Sequence, residues 1–259
     1  MTHEEKRKLL IRRLLDEQLE YRNVSIPTGQ EDQKRMLRSL FNVRLPGTID
    51  GAFLQIQDEY LQETSRERGV VKLSDLEPVQ PGIYLWQGDI TTLACDAIVN
   101  AANSGMTGCY QPCHSCIDNC IHTYAGIQLR NACAEIMERQ GYPEPTGQAK
   151  ITPAFNLPSS YVIHTVGPIV QGELTPKHEA QLASCYRACL DLAEEKGLDS
   201  IAFCGISTGV FGFPKQRAAE IAVKTVFDYL NSSSKKIKVV FTVFSDTSYE
   251  IYKELLVHG

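Results

Sequence analysis

No stretch of the 259-residue sequence approaches the roughly 18 consecutive apolar residues of a membrane span, so no membrane helix is expected. Basic charge is also in short supply. Lys and Arg total 26 against 31 Asp and Glu, a net charge of −5. Neutralising phosphates needs clustered Lys and Arg, so a nucleic-acid partner is not expected. The most basic stretch, Lys6 to Arg13, is interleaved with Leu and reads as the solvated face of a helix. The opening residues, MTHEEKRKLL, carry neither an apolar core nor a cleavage pattern. No internal repeat or low-complexity tract is visible. Nine cysteines without a secretory signal then point to the reducing cytoplasm, where disulfides are rare.

What is present is ordinary in bulk. The chain is 43% hydrophobic and 22% charged, as in soluble globular proteins. Its length suits one large domain, or one domain with an extension, and a sizeable core without staples. Residues 1–75 read as a helical extension. Thr2 and Glu5 have capping-box spacing, and Leu10, Leu14 and Leu15 make an apolar stripe. A second helix is expected over about 31–41. A third carries Phe53, Ile56, Tyr60 and Leu61 on one face.

Residues 76–259 alternate strands and helices. Strands are expected at 83–86, 97–99, 149–155, 161–166, 200–204 and 237–244. Helices are expected at 117–139, from Thr175-Pro176 to Lys196-Gly197, at 215–230 and at 248–256. This alternation predicts an α/β layered sandwich. In such open sheets, ligands bind at the carboxyl ends of the strands.

Three loops lie there. Gly205-Ile206-Ser207-Thr208-Gly209-Val210-Phe211-Gly212-Phe213-Pro214 joins a strand to a helix, and its glycines allow close backbone approach to a phosphate. It reads equally as a tight turn with two core aromatics. Asn100-Ala101-Ala102-Asn103-Ser104-Gly105 offers amide donors and acceptors for ribose hydroxyls, although Asn is also a common turn residue. Asp89, in Gly88-Asp89-Ile90-Thr91, is placed to accept from an amine such as that of adenine, or to cap a helix.

Cys109, Cys113, Cys116 and Cys120 fall within twelve residues and surround His114. A Cys/His cluster in a cytosolic chain is more often metal-binding or catalytic than a disulfide framework. Cys109, His114 and Cys116 are the expected zinc ligands, three donors leaving one position open. Cys113 is a rival fourth ligand, and Cys120 is expected to face the core. The remaining five cysteines read as small buried hydrophobes. Two thiolates and a neutral imidazole would cancel the +2 of zinc and give a mild Lewis acid. Asp118, at a helix start beside this loop, is a general base or a helix cap. His122 and His164 read as packed histidines, and His3, His178 and His258 have no companions suggesting chemistry.

The three motifs QGDIT, IVNAANS and GISTGVFGFP, in this order and spacing, resemble those of a macrodomain over roughly residues 80–259. That resemblance implies a three-layer α/β/α sandwich binding ADP-ribose. By position it implies that Asp89 and Ile90 contact adenine, and that Ser207, Thr208, Gly209 and Val210 cradle the diphosphate. Phe211 and Asn103 would meet the distal ribose. Hydrolytic macrodomains of the MacroD type usually continue with glycines, an apolar residue, Asp, and a helix ending in Ile-His. Here Asp118, Ile121 and His122 match, but a longer Cys/His loop replaces the glycines.

That substitution is similar to zinc-dependent macrodomains, which also carry an N-terminal helical extension. In bacteria these accompany a sirtuin-type ADP-ribosyltransferase and a lipoyl-carrier protein. The implied function is zinc-dependent removal of mono-ADP-ribose from modified protein, from an Asp or Glu ester, with Asn103 and Asp118 in catalytic roles. Two alternatives are a non-catalytic ADP-ribose binding module and a hydrolase of O-acetyl-ADP-ribose or ADP-ribose 1″-phosphate. A fourth is a redox or structural zinc protein, which would unfold when the metal is removed.

Overall fold

The computed structural model describes residues 1–233 and 235–258, apart from the side chain of His258; the expectation for that residue lies outside it. The elements are α1 (His3–Asp16), α2 (Gln30–Val43), α3 (Gly51–Arg68), β1 (Val71–Lys72), β2 (Pro78–Gln80), β3 (Ile83–Gln87), β4 (Leu93–Ala94), β5 (Ala97–Ala102), α4 (Ile117–Ala125), α5 (Ile127–Gln140), β6 (Ala149–Pro153), β7 (Tyr161–Val166), α6 (Pro176–Glu195), β8 (Ser200–Phe203), α7 (Lys215–Ser232), β9 (Lys238–Val243) and α8 (Asp246–His258).

The sheet runs β2-β3-β9-β8-β5-β7-β6. The pairs between β3 and β7 are parallel, and the two edge strands pair antiparallel. Strands β5, β7, β8 and β9 are buried almost throughout, as required of a parallel sheet covered on both faces. Helices α6, α7 and α8 form one covering layer, and α4 and α5 pack together against β5 and β6. This is the layered α/β sandwich the strand and helix pattern predicts, in the three-layer α/β/α form that the resemblance implies. Its core is continuous, with Ile98, Val99, Ile163, Ile201, Val239 and Phe241 at 1% exposure or less. Each such side chain contributes about 1.5–3 kcal/mol by leaving water.

The first three helices have a core of their own, made by Leu10, Ile11, Leu14, Leu15, Leu37, Phe41, Phe53, Tyr60 and Leu61. It reaches the sandwich through Ile127 at the start of α5. The Thr2–Glu5 capping box forms as expected. Two expectations for this region fail. Arg7, within the basic stretch, is 2% exposed, because its guanidinium donates to Gln33 Oε1 at 3.0 and 3.1 Å. His3 is not isolated either. Its Nδ1 lies 3.2 Å from Glu67, and its ring packs on Tyr60.

The single helix expected over 117–139 is two. Gly126 takes φ +94°, a conformation open to glycine, and a Cβ there would lie 2.7 Å from Gln57 and Gln128. Glycine inside a helical period is often tolerated, so the pattern did not reveal the break.

Helices α2 and α5 are bolted together by Arg130, which is 4% exposed. Its Nη1 donates to the carbonyls of Phe41, Asn42 and Arg44, at 2.7 Å to Asn42. These are groups that a helix end leaves without intrahelical donors. The same guanidinium stacks 4.3 Å from the ring of Tyr110. Arg130→Met keeps the apolar stem but strands those carbonyls. It is expected to lower unfolding stability in urea by about 2–3 kcal/mol. A change under about 0.5 kcal/mol would show that the bolt carries no load.

Candidate active site

The chain steps from β5 outward to β7 on one side, and from β8 to β9 on the other. The crevice outside the carboxyl ends of β5 and β8 is therefore the switch point where an open α/β sheet binds ligands. All three predicted loops reach this end of the sheet.

Asp89 follows β3. Its Oδ1 accepts from the Thr91 amide at 2.9 Å, so it caps the single helical turn 90–92. Its Oδ2 accepts from Arg68 at the end of α3, and that guanidinium stacks 3.6 Å over the Tyr124 ring. Ile90 is 3% exposed, so its side chain belongs to the core. Sequence reasoning missed Phe244, at the end of β9. This ring is 83% exposed, and β9 lies between β3 and β8, so it stands between the Asp89 loop and the glycine loop. An aromatic closing an apolar strand reads as core, which hid it.

In the loop after β8, Ser207 takes φ +64°, unusual for a residue with a Cβ. Its Oγ is buried with no partner among the described residues. Thr208 Oγ1 donates to the Gly205 carbonyl, the Gly212 amide donates to Gly209, and the Val170 amide donates to Phe211. The amides of Ser207, Gly209, Val210 and Phe211 have no acceptor among the described residues. Free amides on a turn with a left-handed residue form a concavity suited to an anion. Val210 is 78% exposed at the rim, Phe211 is half-buried, and Phe213 is 2% exposed. The two aromatics of this loop thus divide: Phe213 is core, and Phe211 is only half-buried.

The loop after β5 holds the polar centre. Asp118, on α4, is 5% exposed. Asn100 Nδ2 donates to its Oδ1 at 2.8 Å, and Asn103 Nδ2 donates to its Oδ2 at 3.3 Å. Burial pushes this carboxyl up to about 6 despite both bonds. Asp118 does not cap α4. The cap is Cys116, whose Sγ accepts from the Asn119 amide at 3.4 Å. Asn103 also donates to the Gly108 carbonyl and accepts from the Gly105 amide. His164 is satisfied by Asn100, Thr152 and Cys133, as a packed core histidine should be. His122 differs: it is buried, and neither ring nitrogen has a partner among the described residues. Its Nε2 lies 3.6 Å from Asp118. Gly108, at φ +87°, makes room for it, since a Cβ there would lie 2.8 Å from the ring.

The metal candidates converge. One donor atom each from Cys109, His114 and Cys116 lies within 4.8 Å of the others, and Cys109 Sγ is 3.6 Å from His114 Nδ1. Burial, with Cys109 beside it, pushes the Cys116 thiol up to about 12. Two thiolates at this place need a compensating cation, and two sulfurs with one imidazole are a donor set that zinc accepts. Cys113 is not part of the trio. It takes φ +54°, and its Sγ lies 3.2 Å from Ser39 Oγ. Cys120 is half-buried beside Arg38, rather than in the core. Cys95 is half-buried too, whereas Cys133, Cys185, Cys189 and Cys204 are buried as expected.

The sequence model of the Macro domain family matches residues 99–222. A protein-ADP-ribose hydrolase of Treponema medium is 57% identical over 260 residues, covering 99% of this chain and 100% of that one. A protein-ADP-ribose hydrolase of Staphylococcus aureus is 50% identical over 231 residues, covering 88% and 86%. Among solved structures, the Trypanosoma brucei macrodomain in complex with ADP-ribose superposes with a TM-score of 0.66 at 30% identity, covering 85% of this chain and 94% of that one.

The polar centre makes the fold sensitive to acid. Burial lowers His164 to about 3 and His122 well below its ordinary value. As pH falls below the ordinary histidine value, the unfolded chain therefore takes up a proton at His164 that the native chain refuses until about pH 3, and His122 acts in the same direction, while native Asp118 takes one up near pH 6. Each net proton taken up by the unfolded chain removes roughly 1.4 kcal/mol of stability per pH unit. The urea midpoint is expected to fall from pH 7 to pH 5, and less so in His164→Gln. Equal slopes in the two proteins would remove His164 as the source.

Proposed function

The chain belongs to the macrodomain family, and on that footing we propose that it is a protein-ADP-ribose hydrolase that uses zinc. The observation that carries this reading is the convergence of Cys109, His114 and Cys116 beside the Asn103–Asp118 pair, at the crevice where such folds bind ligands. The names of the relatives support the hydrolase. The donor set supports the metal.

ADP-ribose would lie along the rim. The exposed Phe244 ring and Asp89 receive adenine. The free amides of Ser207, Gly209, Val210 and Phe211 take the diphosphate, as backbone N–H groups do at anion sites. Phe211 packs on the distal ribose. Asn103 cannot offer its amino group freely, because Gly108 and Asp118 hold it. Its Oδ1 keeps one lone pair beyond the Gly105 bond and accepts from a ribose hydroxyl. Asp118 likewise keeps one lone pair on each oxygen and accepts a proton next to the reacting carbon. Holding the sugar between these groups and the metal loop supplies much of the rate by positioning. When bound, zinc supplies Lewis-acid chemistry beside the scissile bond.

The substrate class in this reading is mono-ADP-ribosylated protein linked through an Asp or Glu ester. A lipoyl-carrier protein is one target suggested by resemblance. The nine free cysteines support a cytoplasmic setting. No helix of the described residues is long and apolar enough to cross a membrane.

The deciding measurement is zinc content together with release of ADP-ribose, for the wild type and His114→Ala. Substrates are proteins modified on a carboxylate and on an arginine, a lipoyl-carrier protein among the first. The wild type should hold one zinc per chain and act on the ester alone. His114→Ala should lose the metal and more than about 100-fold in turnover, with ADP-ribose affinity retained. Full turnover without zinc would leave Asn103 and Asp118 as the whole catalytic apparatus. Tight ADP-ribose binding with no turnover of either substrate would make the chain a binding module.

A further inference from the structure

We propose that helix α2 of the N-terminal extension fixes which side chains of the loop 109–116 face the metal, with Arg38 as the positioning residue. The inference rests on the zinc reading above and concerns residues outside the crevice.

Arg38 reaches from α2 to the loop. Its Nη2 donates to the His114 carbonyl at 2.7 Å and to Asn119 Oδ1 at 2.9 Å. Asn119, at 0% exposure, turns its amino group the other way and donates to the carbonyls of Gln111 at 2.9 Å and Cys109 at 3.3 Å. One guanidinium and one buried amide therefore grip the backbone at two of the three ligand residues and at the turn between them. The third, Cys116, is already fixed as the cap of α4. Side chains that orient metal ligands in this indirect way typically change metal affinity by about 10–100-fold when removed.

The same helix decides the fate of the rival cysteine. The Cys113 amide donates to Asn42 Oδ1 at 2.9 Å, and its Sγ sits between Ser39 Oγ at 3.2 Å and the Arg35 carbonyl at 3.4 Å. With Cys113 turned onto α2, the loop presents three protein ligands. Four would close the site, and a catalytic metal needs an open position. The extension thus keeps the site open by holding a ligand away from it.

The test uses the full chain loaded with zinc, and again with cobalt, whose thiolate charge-transfer band counts the sulfur ligands. Wild type should show two thiolates. Arg38→Ala should release zinc to a chromogenic chelator about 10–100-fold faster, while ADP-ribose affinity, which reports the crevice, stays unchanged. Arg38→Lys should fall between them, since an ammonium can donate to the His114 carbonyl but lacks the planar fork. Zinc release from Arg38→Ala at the wild-type rate overturns the proposal and leaves the zinc reading standing. Wild type that binds no zinc overturns both.

If Arg38→Ala does not fold, the Ser39→Ala, Asn42→Ala double variant carries the test. Its cobalt band should rise to three thiolates and its zinc should be held more tightly. Adding Cys113→Ala should return the band to two. A band that stays at two in the double variant overturns the proposal.

Discussion

A carboxyl group buried at 5% exposure, with no cation in hydrogen-bond contact among the described residues, has to be held by neutral donors, and the site is arranged around that requirement. Asn100 comes from inside β5 and Asn103 from the turn just beyond it, so satisfying Asp118 ties the end of the central strand to the first turn of α4. The chain between these two anchors has fixed ends. It leaves at Gly108, whose lack of a Cβ spares the His122 ring, and returns at Cys116, which caps the helix bearing Asp118. The Cys/His loop is spliced into a closed polar frame. Its Cys109, His114 and Cys116 side chains therefore arrive beside the carboxylate rather than at an arbitrary place on the surface.

The frame also explains which parts of the site were legible in the sequence. Strand ends could be read because parallel strands buried on both faces are continuous apolar runs, and the loops that follow them carry glycine and asparagine for local reasons. Cys109, His114 and Cys116 could be read from donor type and local density. Asp118 was identified, but its choice between base and cap was not, because that depends on Cys116 accepting the Asn119 amide. Cys113 could not be separated from its neighbours, since its φ of +54° follows from contacts with α2 and not from its spacing.

Arg38 and Asn119 left no signal at all. The bonds of Arg38 to His114 and Asn119 span 76 and 81 residues, those of Asn119 to Cys109 and Gln111 span 10 and 8, and on a helix each side chain reads as an ordinary polar residue. The same holds for Arg130, which serves the end of α2 from a position 86 to 89 residues further along. Sequence pattern reports burial and turns because these repeat locally. It does not report which polar group answers which across two layers of the fold.

A long loop in place of a short glycine turn raises a difficulty that the extension resolves. Each residue ordered costs about 1–2 kcal/mol of conformational entropy, and each carbonyl turned inward needs a donor. A glycine turn has few such groups. The Cys/His loop has the carbonyls of Cys109, Gln111 and His114 to satisfy, and their side-chain donors come from α4 and α2. Asn119 answers two from within α4, and the third is answered by Arg38 from outside the sandwich. That guanidinium can only be there if α2 is docked, which in turn needs Arg130 at its end and the apolar core of the three helices behind it. The extension and the Cys/His loop are therefore one structural unit. A chain with this loop but without the helices would have Cys109, His114 and Cys116 in its sequence and little to hold them facing one another.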